Sequence, residues 1–167
     1  MTRRIIVRAA VLLVLLTAGV LAWRSRATPD ERAIRGRLDA LRAEVNASTK
    51  DGLGTAIRAA QIGSYFTEDA VVELGEGSVP IKGRETLMGM VARLQPRTAA
   101  FRMDLDDVTI EMVPGGDTAD VLLTASFVRR SISTGEESLD AREYALVMTK
   151  AAGTWQIARI TAIDAFR

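Results

Sequence analysis

The chain contains no histidine and no cysteine, so the commonest general base and the strongest side-chain nucleophile are both missing. Serine–histidine and cysteine–histidine catalysis are therefore excluded. The acid–base chemistry that remains belongs to carboxylates and to the two tyrosines, Tyr65 and Tyr144. A carboxylate buried in an apolar cavity, with or without a tyrosine beside it, is the arrangement that could still move a proton near neutral pH.

Metal chemistry is disfavoured on the same grounds. Zinc sites use histidine and cysteine ligands, and only carboxylates remain here as charged ligands. Asp104, Asp106 and Asp107 come closest to a calcium site, but their spacing matches no calcium loop. We interpret them as residues of a strand edge and a bulge, and we expect neither a metal nor a cofactor.

The two tyrosines have different settings. Tyr65 lies beside Phe66 at a predicted helix end, which is typical of a core aromatic whose hydroxyl reaches the rim. Tyr144 lies in a predicted strand, where it shares one face with Arg142 while Glu143 points to the other. If the shared face is concave, Arg142 and Tyr144 form a small polar cluster. We expect the convex alternative, in which Arg142 is an ordinary surface charge.

The N-terminus differs from the rest in composition. Residues 5–23 are apolar except for Arg8 and Thr17, and a helix of this length spans about 28 Å, enough to cross a bilayer. A cleaved signal peptide ending at residues 20–22 is the alternative. Trp23 suits an interfacial anchor, so we favour a single-pass anchor in the cell membrane, with the following domain on the extracytoplasmic side.

The chain thus divides into residues 1–27, the transmembrane anchor or signal peptide with a short linker, and a domain over residues 28–167. Lysine and arginine number 22 and aspartate and glutamate 21, a net charge of +1. This balance offers no general attraction for a polyanion, so we expect no nucleic-acid partner.

Of the three helices predicted, two begin the domain, and the third follows a first strand that starts at residue 66 and a Gly-rich hairpin at residues 75–77. Thr28 and Glu31 form a capping box at the first, whose apolar stripe is Ile34, Leu38, Leu41 and Val45. The second runs over residues 53–65. The third ends before Pro96.

Strands are predicted for the rest of the domain. Apolar residues fall on odd positions up to Leu105 and on even positions from Val108, which predicts a bulge at Asp106 and Asp107. Later strands are expected at about residues 139–150 and 154–165. Helices followed by an antiparallel meander indicate an α+β fold, in which a curved antiparallel sheet wraps over three helices and encloses a cone-shaped cavity.

Three short segments carry a family resemblance: FTEDAV at residues 66–71, GRE at 83–85 and GTWQI at 153–157. In this order they resemble the nuclear transport factor 2-like superfamily, across residues 30–167. That superfamily includes ketosteroid isomerases, small SnoaL-like polyketide cyclases and many non-catalytic domains. The resemblance implies the cone-shaped, cystatin-like fold and, as in similar domains, a homodimer formed sheet to sheet.

The isomerases of this superfamily use an Asp after the first strand, a Tyr on the first helix and a second Asp on a later strand. The matching positions here are Leu74, Leu41 and Ala145, so all three polar groups are replaced by apolar ones. A slip of one residue would bring Glu73 or Glu143 into place, but such a slip in a strand turns the side chain to the other face.

Two hypotheses follow. The first is a membrane-anchored, non-catalytic domain that binds a small apolar molecule or acts as a scaffold, with an envelope protein or a second copy as partner. The alternative is a cofactor-free isomerase, cyclase or hydrolase that uses a buried carboxylate. For that enzyme the candidate catalytic residues are Glu73 together with Tyr65 or Tyr144.

Overall fold

The computed structural model describes residues 28–47, 52–75, 77–94, 98–131 and 136–163. Its helices and strands follow one another in the order predicted from the sequence. The elements are α1 (Pro29–Asn46), α2 (Gly52–Gly63), β1 (Phe66–Glu73), β2 (Ile81–Lys82), α3 (Arg84–Leu94), β3 (Thr98–Met112), β4 (Thr118–Ser131), β5 (Glu137–Ala151) and β6 (Thr154–Ile163).

The predicted membrane anchor, residues 5–23, lies outside the described residues. None of the helices within the described ranges is both long and apolar enough to span a bilayer. The described residues from Ala33 onward belong to one compact unit, which begins one turn into α1.

The predicted start and apolar stripe of α1 are confirmed. The backbone N–H of Glu31 donates to Thr28 Oγ1 at 3.1 Å, and the N–H of Thr28 donates to Glu31 Oε2 at 3.2 Å. This reciprocal pair satisfies two backbone donors at the helix start. Further along the helix, Ile34, Leu38 and Leu41 are all buried in the core.

The α+β architecture with a curved six-stranded sheet is confirmed, and the strand order is β2-β1-β6-β5-β4-β3. Strands β3 to β6 form the predicted antiparallel meander. The prediction of an entirely antiparallel sheet is wrong, because β1 pairs with β6 in parallel, with Val72 beside Ile160. No hairpin links these two strands, so nothing in the local sequence fixes their relative direction.

The sheet has two different faces. On the face that we call the inner face, side chains pack with the apolar stripe of α1 in one buried cluster. Val121, Leu123 and Leu146 are on this face, and each is at most 5% exposed. Their chain neighbours Leu122 and Ala145 point to the opposite, outer face and are exposed. Alternation along a strand therefore assigns each residue of the meander to a buried or a solvent side.

The bulge predicted in β3 is confirmed. Asp106 pairs with Thr124 and Thr109 with Leu122, so β3 advances three residues while β4 moves two. Asp107 absorbs the extra residue with a left-handed φ of 53°. The shift keeps the apolar residues on either side of the bulge on the inner face.

Asn46 secures the edge of the sheet. β3 is an edge strand, and the Asn46 side chain acts there as a substitute for a neighbouring strand. Its Nδ2 donates to the carbonyl oxygen of Met103 at 2.7 Å, and its Oδ1 accepts from the N–H of Met103 at 2.6 Å. Because one side chain satisfies both backbone groups, the end of α1 is fixed against β3.

We expect Asn46→Ala to lower the free energy of unfolding by about 1–3 kcal/mol, because both partly buried backbone groups of Met103 lose their partner. Asp39→Ala, a change at an exposed position of the same helix, should stay within about 0.5 kcal/mol. Urea denaturation with unchanged slope measures both values. Equal midpoints for the two variants would contradict the proposed role of Asn46.

Candidate functional site

The inner face becomes steadily more exposed along β5. Met148 and Leu146 are buried, Tyr144 and Arg142 are partly buried, and Asp140 is exposed. All five residues share this face because they are two positions apart. The apolar floor of the inner face therefore ends in a polar group of three side chains that solvent can reach.

Aromatic rings lie next to these polar side chains. The Phe127 ring of β4 meets the Tyr144 ring edge to face, with centroids 6.5 Å apart at 88°. The Phe101 ring of β3 lies 5.9 Å from that of Phe127. We call Phe101, Phe127, Asp140, Arg142 and Tyr144 the rim cluster.

Arg142 lies on the inner face, so the expectation that it is an outward surface charge is wrong. It pairs across the strands with Ala125, which is 4% exposed. Its Nη1 donates to the carbonyl oxygen of Leu74, at the end of β1, at 3.0 Å. Because β6 lies between β5 and β1, the Arg142 side chain must reach across the inner face to make this bond.

Tyr144 is the one described group whose pKa clearly departs from its usual value. Burial raises its pKa above 10.0, the Arg142 guanidinium opposes that rise, and Asp140 adds to it. At neutral pH the phenol is therefore protonated and can donate a hydrogen bond. The rim cluster thus combines one neutral donor with one permanent cation.

Glu73 does not belong to this site. Its chain neighbour Val72 is buried, and Glu73 points to the other face of β1. There Oε1 accepts from Arg159 Nη1 at 2.9 Å, and Oε2 accepts from the Thr161 hydroxyl at 3.3 Å. The carboxylate is thus paired on the outer face, away from the rim cluster.

Tyr65 is also separate from Tyr144. It lies in the turn between α2 and β1, with the Arg37 guanidinium 4.0 Å from the centre of its ring. Its carbonyl oxygen accepts from the N–H of Ile157, near the start of β6. Tyr144 instead pairs with Ala162, near the end of that strand. The three candidate catalytic residues are therefore not brought together.

The positions matched to the isomerase residues are also dispersed. Leu41 is part of the buried core, and Leu74 is 45% exposed beyond the end of β1. Ala145 and Glu143 both lie on the outer face of β5. The inward residue at that place is Tyr144, one position before Ala145.

The interpretation of the aspartates near the bulge is confirmed. Asp104 Oδ2 accepts from Arg102 Nε at 2.8 Å, while Asp106 and Asp107 form the bulge itself. Across the described ranges, no three acidic side chains come close enough together to hold a metal ion.

Sequence reasoning missed three members of the rim cluster: Asp140, Phe127 and Phe101. A signal for Asp140 was present, because it has the same parity as Arg142 and Tyr144 on one strand. Phe127 and Phe101 could be found only through the pairing of β3 with β4, which brings Phe127 beside Met103.

Comparisons with known proteins agree with this fold. A family profile described as a SnoaL-like domain matches residues 53–161. No curated protein matches the chain.

Among solved structures, a scytalone dehydratase-like protein of Novosphingobium aromaticivorans is similar, with a TM-score of 0.69 at 13% identity over 82% of this chain and 85% of that one. An NTF2-like protein with a cystatin-like fold from the same organism gives 0.64 at 18% identity, over 87% and 90%. A hexachlorocyclohexane dehydrochlorinase gives 0.61 at 16% identity, over 83% and 90%. At these identities the likeness establishes the fold alone.

The rim cluster predicts how Tyr144 titrates. In a Tyr65→Phe background Tyr144 is the only tyrosine, and absorbance at 295 nm should give a pKa above 10.0. Adding Arg142→Gln should raise this pKa further, and adding Asp140→Asn should lower it. Because the folded chain holds this proton to higher pH than the unfolded chain, Tyr144 should reduce stability as the pH rises above about 10. Shifts of the opposite sign would show that these charges do not surround Tyr144.

Proposed function

This chain belongs to the SnoaL-like domain family, and we propose that it binds a small, largely apolar molecule on the inner face of its sheet, beside the rim cluster. The observation that carries the proposal is the change along β5 from the buried Leu146 to the partly buried Tyr144 and Arg142. Binding sites for small molecules typically combine apolar walls with a few polar groups that orient the ligand.

The aromatic part of the rim cluster supports this proposal. Phe101 is 38% exposed although its ring lies beside that of Phe127, so an apolar surface remains available at the end of the inner face. Rings that already contact one another offer contact area with little further loss of side-chain freedom. A flat apolar ligand would extend this row of rings.

A carboxylate-based enzyme has less support. Glu73 is engaged by Arg159 and Thr161 on the outer face, and Asp140 is exposed. Neither carboxylate has the buried, apolar setting that such catalysis requires. The dehydratase-like and dehydrochlorinase structures show that the fold accommodates enzymes, but their activities are properties of those proteins.

We further propose that residues 5–23 attach the domain to the cell membrane, with the domain on the extracytoplasmic side. This proposal rests on the apolar sequence alone.

Binding can be located with 2-naphthamide, an uncharged flat probe, and a full-length chain labelled at its leucine methyl groups. We expect the probe to shift the NMR signals of Leu105, Leu123 and Leu146, which lie on the inner face. The signals of Leu122 and Leu139, which lie on the outer face, should not move. Shifts confined to the outer pair, or none at all, would refute binding at the inner face.

A matched pair of variants tests the aromatic contact. Phe127→Ala should weaken the binding of 2-naphthamide about three- to tenfold, because it removes the free energy of one aromatic contact. Val128→Ala, at the next position but on the outer face, should leave binding unchanged. Phe127→Leu removes the aromatic ring but keeps most of the side-chain volume. It therefore distinguishes a loss of the aromatic contact from a loss of folding. Equal affinities for all variants would contradict the role of Phe127.

The membrane proposal predicts that alkaline carbonate leaves the full chain in the membrane pellet, because a bilayer-spanning helix resists extraction. A chain that lacks residues 5–23 should be released. A mature protein shortened by about 22 residues would instead indicate the cleaved signal peptide. An intact chain recovered from the soluble fraction would overturn both interpretations.

A further inference from the structure

Arg142 has no carboxylate partner at ion-pairing distance, unlike six other arginines of the described residues. Those six pairs are Arg42 with Asp39, Arg58 with Glu44, Arg84 with Glu68, Arg102 with Asp104, Arg130 with Glu137 and Arg159 with Glu73. Arg35 and Arg37 donate to backbone carbonyls, as Arg142 does. Among the described residues, no carboxylate lies that close to Arg142. Its recorded hydrogen bond is to a neutral carbonyl, that of Leu74.

The position of Arg142 makes this difference meaningful. The side chain is partly buried and crosses an apolar face, where Ala125 and Leu123 are its buried neighbours on β4. A cation in such a place loses hydration, so it interacts more strongly with an anion than a surface arginine does. The guanidinium has five N–H donors, and one bond to Leu74 leaves donors for a ligand.

We propose that the ligand of the inner face is a flat molecule that carries a carboxylate or a similar anionic oxygen group, which pairs with Arg142 and accepts a hydrogen bond from Tyr144. The apolar part of the ligand would lie against Phe127 and Phe101. This inference rests on the function proposed above and specifies the class of ligand. It requires Arg142 and Tyr144 to act on the same group, which their positions two residues apart on one face allow.

Asp140 sets a limit on the strength of this interaction. It lies on the same face, two positions beyond Arg142, and its negative charge opposes an incoming anion. Because Asp140 is exposed, solvent screens its charge more than it screens that of Arg142. We therefore expect Arg142 to dominate, and Asp140 to reduce the preference for anions without reversing it.

The test compares 2-naphthoate with 2-naphthamide, which share the same ring system and differ by a charged and an uncharged end group. Calorimetry on the full-length chain should show 2-naphthoate binding about tenfold more tightly, in line with a charge-assisted hydrogen bond. Arg142→Gln should reduce this preference to within about twofold, because the variant lacks the charge that distinguishes the two end groups. Arg142→Lys should retain part of the preference, because it keeps the charge but loses the planar donor arrangement.

Arg102→Gln is the matched control, since it removes the same charge from the outer face, where Arg102 pairs with Asp104. It should leave the preference for 2-naphthoate intact. Asp140→Asn should increase that preference by a few fold. Thermal melting of each variant identifies any change due to misfolding, and Arg142→Lys provides the comparison if Arg142→Gln does not fold.

The outcomes separate the two proposals. If 2-naphthamide binds at the inner face but 2-naphthoate is not preferred, the anionic ligand is wrong while the binding function stands. An equal loss of preference in Arg142→Gln and Arg102→Gln would also overturn the role of Arg142, because the effect would then come from net charge. If neither compound binds, both proposals fail.

Discussion

One buried cluster joins the apolar stripe of α1 to the inner face of the sheet, and this contact determines which side of each strand is buried. Ile34 and Leu38 of the helix and Val121 of β4 are among its most buried members. Burying one such side chain contributes about 1.5–3 kcal/mol, so a register that turned this face outward would cost many such contacts. Every functional side chain of the meander takes its direction from this arrangement, because residues two positions apart share a face.

The bulge in β3 is a direct consequence of that constraint. Leu105 and Ile110 are five positions apart, so in a regular strand they would face opposite sides. The extra residue at Asp107 returns Ile110 to the inner face, and Arg35 Nη2 donates to the carbonyl oxygen of Val108 beside it at 2.9 Å. The bulge therefore lets the edge strand keep apolar residues on the inner face from Phe101 to Met112.

Local features of the fold could be predicted from the sequence, and long-range ones could not. The capping box of Thr28 and Glu31, the stripe of α1 and the bulge depend on residues close together in the chain, and all three are confirmed. The parallel pairing of β1 with β6 joins segments about 90 positions apart, and no local pattern specifies it. The candidate site could be predicted only in part. Alternation correctly put Arg142 and Tyr144 on one face, but only the cross-strand partner Ala125 showed that this face is the buried one.

The rim cluster departs from the packing rules that the rest of the sheet follows. A core built only for stability would continue the apolar row of Met148 and Leu146 instead of placing a phenol and a guanidinium at its end. Burying part of Tyr144 raises its pKa, and removing water from part of Arg142 carries an electrostatic cost that no carboxylate of the described residues offsets by direct pairing. Departures of this kind concentrate at functional sites, where stability is given up for interaction with a ligand. A ligand with an anionic group would supply the ion pair that Arg142 lacks among the described residues. The electrostatic cost of desolvating the guanidinium in the free protein would then be offset in the complex, which strengthens binding.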